Sequence, residues 1–242
     1  MPTFNEANTV QQPIVDLLVA GGWSYVPGSQ LARSHEQTFI EDDVVASVVR
    51  LNPVIAEEPA RAQEVLMVLR ALTLTAENEG LVEANRMFAS WLRGREHHQF
   101  AGTTFHEPIR LIDFDNPENN TLVVSDEVTH GVPGTTCRFD IVLWVNGFPL
   151  AVGEVKTAVD TKVSWIKGAR DIHNVYEARV ATVLRPQRLL VRHRGPRVPL
   201  RRHQAGHRLM ADVGIDAGRG DPEWVGACEA VRRVAALATH RP

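Results

Sequence analysis

The sequence predicts a mixed α/β (α+β) fold, with helices packed around one central sheet, on three observations. Apolar residues recur at helical spacing through the first hundred residues. From about Ile109 the spacing changes to alternation, broken by frequent turn residues. An Asn146-Gly147 pair then joins two strongly apolar strands, "RFDIVLWV" and "PLAVGEVK". With 242 residues and 44% hydrophobic content, the chain can bury one sizeable core or two small ones.

The elements follow in order. Thr9 caps a helix through "VQQPIVDLLVA", with Ile14, Leu17 and Leu18 on one face and Gly21-Gly22 ending it. A second helix spans Glu41 to Arg50 and stops at Asn52-Pro53. A third begins near Pro59, a good first-turn residue, and turns Val65, Leu66, Leu69 and Leu72 inward. "LVEANRMFASWLRG" is the fourth, ending at Gly94. "IRLIDF", "NTLVVSDEV", "RFDIVLWV" and "PLAVGEVK" read as four strands of an antiparallel meander, and "SWIKGARDIHNVYEARV" returns to a helical pattern. His97-His98, just after the fourth helix, reads as a solvated turn, since no second cluster completes a metal site. Trp165 and Tyr176 read as core residues of an amphipathic helix.

No apolar run reaches the roughly 18 residues of a membrane span, and "MPTFNEANTV" lacks the pattern of a signal peptide, which excludes a membrane role and places the chain in the cytoplasm. Cys137 and Cys228 are too few for a disulfide framework or a zinc site and read as free thiols. The net charge of −3 conceals an asymmetry: residues 1–180 hold 14 basic and 24 acidic groups, whereas residues 181–242 hold 12 arginines and 5 acidic groups. Such a break marks a domain boundary, a basic nucleic-acid-binding tail, or two segments of different history.

Chemistry concentrates in Asp140, Glu154 and Lys156, a D-x13-E-V-K pattern across the Asn-Gly turn. Residues i and i+2 of a strand share a face, so Glu154 and Lys156 stand together. In a hairpin closed at Asn146-Gly147, opposite residues sum to 293 or 294, which brings Asp140 near Gly153 and Glu154. Two carboxylates and a backbone carbonyl, that of Val155, suit Mg²⁺. A metal so held can activate a water for phosphodiester hydrolysis, with Lys156 neutralising developing charge. The competing reading is a solvated cross-face ion pair, the commoner role of E-x-K on a strand; the interruption of an apolar strand by Asp140 favours the site without deciding it.

"DIVLWVNGFPLAVGEVK" closely resembles the nuclease core of the R subunit of type I restriction endonucleases, a PD-(D/E)xK-type nuclease. Further matches are "FNEANTVQQPIVDLLVAGGWSYV", "RLNP", "LVEANRMFASWLRG" and "LIDFDNPENNTLVVSDEV", covering about residues 4–180. The resemblance implies a restriction-endonuclease-like core, a central mixed sheet flanked by helices, with residues 1–100 as its helical part and 101–180 as its sheet. It makes Asp140 and Glu154 metal ligands for Mg²⁺ and Lys156 the catalytic lysine, acting on DNA beside specificity and methyltransferase subunits. Glu83 is a candidate auxiliary carboxylate. The family's R-P-D reads here as Arg138-Phe139-Asp140, and a Gln placed four residues before a Tyr is here Ile172 before Tyr176, which weakens an auxiliary role for Tyr176. No G-x-x-x-x-G-K-[ST] loop is present, so the ATP-driven motor of the full-length family is not expected to act in this chain.

After Val180 the resemblance stops, and "TVLRPQRLLVRHRGPRVPLRRHQAGHR" has the Arg, Pro and His density of GC-rich DNA read out of frame. Codons for Val183 to His203 exist that, read one base later, give F-F-A-P-N-V-F-S-Y-A-T-E-G-R-E-F-R-Y-G-A, the segment the resemblance implies. Residues 181–242 are thus expected to be a frameshifted, poorly structured tail, with a basic DNA-binding arm as the alternative. An uninterrupted gene, with no family-like frame downstream, sinks the frameshift. A catalytically inactive remnant or assembly module is the remaining alternative for the chain as a whole.

Overall fold

The computed structural model describes the backbone of residues 11–79, 81–156 and 189–194, and side chains within 11–75 and 83–153. The Thr9 cap, the helix expected over "SWIKGARDIHNVYEARV" with Trp165, Ile172 and Tyr176, Cys228, and all of the tail except 189–194 lie outside the described residues.

Helix α1 (Gln12–Ala20) buries Val15 and Leu18, with Ile14 and Leu17 half-buried beside them. Gly22 ends it at φ +95°, a left-handed conformation that glycine adopts without penalty. Helix α2 (Glu41–Leu51) carries Glu41, Asp42 and Asp43 in its first turn and Arg50 in its last, which complements the helix dipole at both ends. Pro53 opens the one-turn helix α3 (Pro53–Ala56). Helix α4 (Arg61–Glu79) buries Val65, Leu66, Leu69 and Leu72, the expected face, and runs beyond the expected end at Ala76. Helix α5 (Leu81–Leu92) follows, with Gly94 beyond it at φ +64°.

The strands are β1 (Ser24–Tyr25), β2 (His97–His98), β3 (Glu107–Pro108), β4 (Leu122–His130), β5 (Cys137–Val145), β6 (Phe148–Lys156) and β7 (Leu189–Arg194). Five form one mixed sheet in the order β1-β4-β5-β6-β7. Its centre, β4-β5-β6, is the antiparallel meander read from the sequence; β1 and β7 are added parallel at the two edges. Two residues of alternating character are too short a signal to show β1 in advance. On one face Val124, Ile141, Val145, Phe148 and Leu150 join a core with the helices, where Phe39, Phe88 and Phe148 cluster with ring centroids 5.4–5.8 Å apart. Aromatic clusters of this kind add to the stability from burial itself. A second cluster gathers Ile40, Val123, Val142, Trp144 and Val152.

Two expectations are corrected. "IRLIDF" is not a strand: Ile109, Leu111 and Ile112 are buried, but their segment is a loop. Side chains take the place of a neighbouring strand there. Asn52 accepts from Arg110 N at 2.7 Å and donates to its carbonyl at 2.9 Å; Asn146 donates to the Leu111 carbonyl at 2.8 Å. Buried alternation without a pairing strand is stable because these amides satisfy the backbone. His97-His98 is likewise no solvated turn but strand β2, paired with β3, and His98 Nε2 lies 3.4 Å from Glu64.

Candidate active site

The two strands of the hairpin position the candidate residues. Asn146 and Gly147 sit at φ +52° and +81°, the paired left-handed conformation that a two-residue hairpin turn requires. From that turn the pairing runs Val145↔Phe148 and Trp144↔Pro149, then shifts between Leu143 and Trp144 and continues as Leu143↔Ala151, Val142↔Val152 and Ile141↔Gly153. Leu150 is the residue accommodated at this bulge, next to Pro149, which has no N–H to give the ladder.

The bulge has a consequence for the candidate carboxylates. Without it Asp140 stands opposite Gly153; with it the register, carried one step beyond Ile141↔Gly153, sets Asp140 level with Glu154. Level positions of antiparallel neighbours share a face. In β5 Arg138 is exposed and Asp140 half-buried, between Phe139, buried in the second cluster, and Ile141, buried in the first. Val155 and Lys156 end β6, level with His193 and Arg194 of β7.

Three further residues act on this row. Gln11, 5% exposed at the start of α1, donates from Nε2 to the backbone carbonyl of Asp140 at 2.8 Å. On the other side, β4 pairs as Asp126↔Ile141 and Val128↔Phe139, so Glu127 is level with Asp140, yet that pair is missing from the ladder. Glu127 has φ +50°, which only it and Asn146 adopt among described non-glycine residues. Gly28 lies against this point: a Cβ there would overlap the Asp126 carbonyl and come within 2.9 Å of the Glu127 carbonyl oxygen. Glu127 Oε2 is 2.7 Å from Arg138 Nη1. Nearby, burial and a hydrogen bond to Asp126 push the Tyr25 hydroxyl up to about 12.

Arg33 secures the end of β4. It donates to the carbonyls of Ser34 at 2.8 Å and Thr129 at 2.6 Å, and its guanidinium lies 5.5 Å from the Trp144 ring centroid. Burial lowers its pKa to about 10, and burial together with the Arg33 charge lowers His130 to about 3.

Glu83 stands on α5 with its carboxylate committed to Arg86 at 2.6 Å, a pairing that lowers its pKa. Among the described residues no three His, Cys, Asp or Glu side chains gather as a metal cluster. Glu154 and Lys156 are placed by strand and register alone. Gln11, Glu127 and Gly28 escaped the sequence reading. Gly28 carried the one available signal, a Pro27-Gly28 turn pair just after β1, and nothing in the sequence says which strand its backbone approaches.

A mixed sheet with an antiparallel centre, packed against several helices, is a restriction-endonuclease-like core. The family model for the type I restriction enzyme R protein N terminus matches residues 3–187, and the chain belongs to that family. It is also 23% identical over 191 residues to a protein of Methanocaldococcus jannaschii named as a type I restriction enzyme MjaIXP endonuclease subunit. That alignment covers 74% of this chain and spans only 17% of the relative's length. No helix among the described residues is long and apolar enough to cross a membrane.

Proposed function

We propose that the chain is the nuclease domain of a type I restriction R subunit and hydrolyses DNA phosphodiesters with a divalent metal. The observation that carries this reading is the bulge-set register, which brings Asp140 level with Glu154, two positions from Lys156. Asp140, Glu154 and the Val155 carbonyl are the residues that would hold the cation. Their donors are all oxygen, which fits a hard ion such as Mg²⁺ rather than a soft one. When bound, such an ion supplies a water of lowered pKa and neutralises charge on the phosphoryl oxygens.

The chain's own residues do the rest. With its carbonyl engaged by Gln11, Asp140 is fixed at its backbone, so its carboxylate is presented from a rigid strand rather than a loop. Lys156 offers an ammonium to the oxygen on which charge develops, the electrostatic contribution that a fixed cation makes best. DNA and the specificity and methyltransferase subunits of a type I complex are the proposed partners. The test is plasmid cleavage in Mg²⁺ by the full chain, Glu154→Ala and Lys156→Ala. Loss of about 100-fold or more in either variant is expected; equal cleavage by all three rejects the reading.

A further inference from the structure

We propose that Arg194 of strand β7, at the register position level with Lys156, makes with it a two-cation seat for a phosphate of the DNA backbone. This deepens the nuclease reading and rests on it, since it requires that the Glu154–Lys156 end of the sheet meet DNA.

Register is the first argument. β6 and β7 run parallel through six consecutive pairs, from Ala151↔Leu189 to Lys156↔Arg194, with no shift between them. Level residues of neighbouring strands stand about 4.8 Å apart across the sheet and change face together. Val152↔Leu190, Glu154↔Arg192 and Lys156↔Arg194 therefore share one face: an apolar pair, then a mixed pair, then a pair of cations. Ala151↔Leu189, Gly153↔Val191 and Val155↔His193 take the other. The alternation of "LLVRHR" thus puts both arginines of the strand on the face of the candidate ligand Glu154 and of Lys156.

Charge is the second. Glu154 and Arg192 are opposite in sign and offset each other, whereas like charges at level positions repel. Lys156↔Arg194 is such a pair, at the last residues of β6 and β7. An anion drawn to that row removes the cost. The nuclease reading brings one there, the phosphodiester, and a guanidinium's planar fork matches phosphate geometry.

A second service of these charges has to be weighed. β7 is an edge of the sheet among the described residues, and charge on an edge strand blocks pairing with another chain. Either sign at any register performs that service. It does not account for a cation level with Lys156, the costly choice at that position.

The test is fluorescence-anisotropy binding of a labelled 20-base-pair duplex to the full chain, without divalent cation, across a KCl series. Arg194→Ala is expected to weaken binding about 5–10-fold and to reduce the slope of log K against log[salt] by about one, the signature of one lost phosphate contact. Arg194→Lys keeps the slope. Arg201→Ala, which removes a basic residue beyond β7, keeps it too; an equal drop in Arg194→Ala and Arg201→Ala indicates a loose basic arm and overturns the proposal. Leu190→Pro and Val191→Pro, made singly, retain every charge. Adjacent strand residues direct their N–H groups to opposite sides, so one of the two removes a hydrogen bond from the β6 ladder, and that variant is expected to lose the slope that Arg194→Ala loses. Wild-type slopes in both proline variants overturn the proposal, as does a wild-type slope in Arg194→Ala. A slope lowered by Arg194→Ala, with cleavage indifferent to Glu154→Ala and Lys156→Ala, upholds the phosphate seat and removes the nuclease reading alone. Cleavage lost in those two variants, with an unchanged Arg194→Ala slope, does the reverse.

Discussion

The two ends of the β5–β6 hairpin are built on opposite plans. At the turn end the polar groups of Asn146 and of the adjoining loop are answered. Asn146, fully buried, donates to the Leu111 carbonyl and to Asn120 Oδ1, both at 2.8 Å, and accepts from Thr121 N at 2.8 Å and Arg50 Nη2 at 3.3 Å. Asp113 closes the adjoining loop by accepting from Asn119 and from the backbone of Asp115 and Asn116, which lowers its pKa. At the open end the ladder lacks a pair, a glutamate holds a left-handed φ, and charged side chains stand half-exposed. The difference teaches where the fold is secured and where it is left strained: satisfied polar groups and close packing at one end hold a geometry at the other that would not hold itself.

The largest effect expected from breaking this division is at Gly147. A Cβ there would overlap the Ile40 carbonyl and come within 2.9 Å of Val44 Cγ2, at a φ of +81° that favours glycine. Gly147→Val should cost about 4 kcal/mol or more, much of a domain's stability, read as a lowered urea midpoint. A midpoint equal to wild type would show that the turn is no anchor.

Next in size is the acid response near the open end. In the unfolded chain His130 takes up a proton near pH 6.5, whereas in the fold it stays neutral down to about 3. Stability is therefore whole above pH about 6.5 and drains as pH falls toward 3, by on the order of 4 kcal/mol in all. His130→Asn should flatten the curve of unfolding free energy against pH in this window; an unchanged slope locates the acid sensitivity elsewhere.

The smallest effect is the most discriminating. Glu127→Gly relieves the left-handed φ and loses only a half-exposed ion pair, so it should raise stability by about 1 kcal/mol. A destabilised Glu127→Gly would mean that the open end is packed, not strained.

Much of this was legible in the sequence because it is local. The buried face of α4 follows from helical period, and the paired left-handed residues at Asn146-Gly147 follow from turn chemistry. "IRLIDF" misled for a reason equally specific: alternation reports burial on one side, and whether a strand or the amides of Asn52 and Asn146 satisfy the backbone is a matter of distant residues.

By itself, then, the sequence determined α1, α2, α4 and α5, the strands β4, β5 and β6, the Asn146-Gly147 turn and the residue types of the candidate row, since periodicity and turn preferences act over a few neighbours. Tertiary structure decided the alignment of that row. A register is set by everything that packs on the sheet, and the shift between Leu143 and Trp144 puts Glu154 rather than Gly153 level with Asp140. Gln11 meets Asp140 across 129 positions of chain, and Gly28 approaches the β4 backbone at Asp126 and Glu127 too closely for a side chain. Neither leaves a mark on local pattern, because each depends on chain brought together only by the collapse of the core.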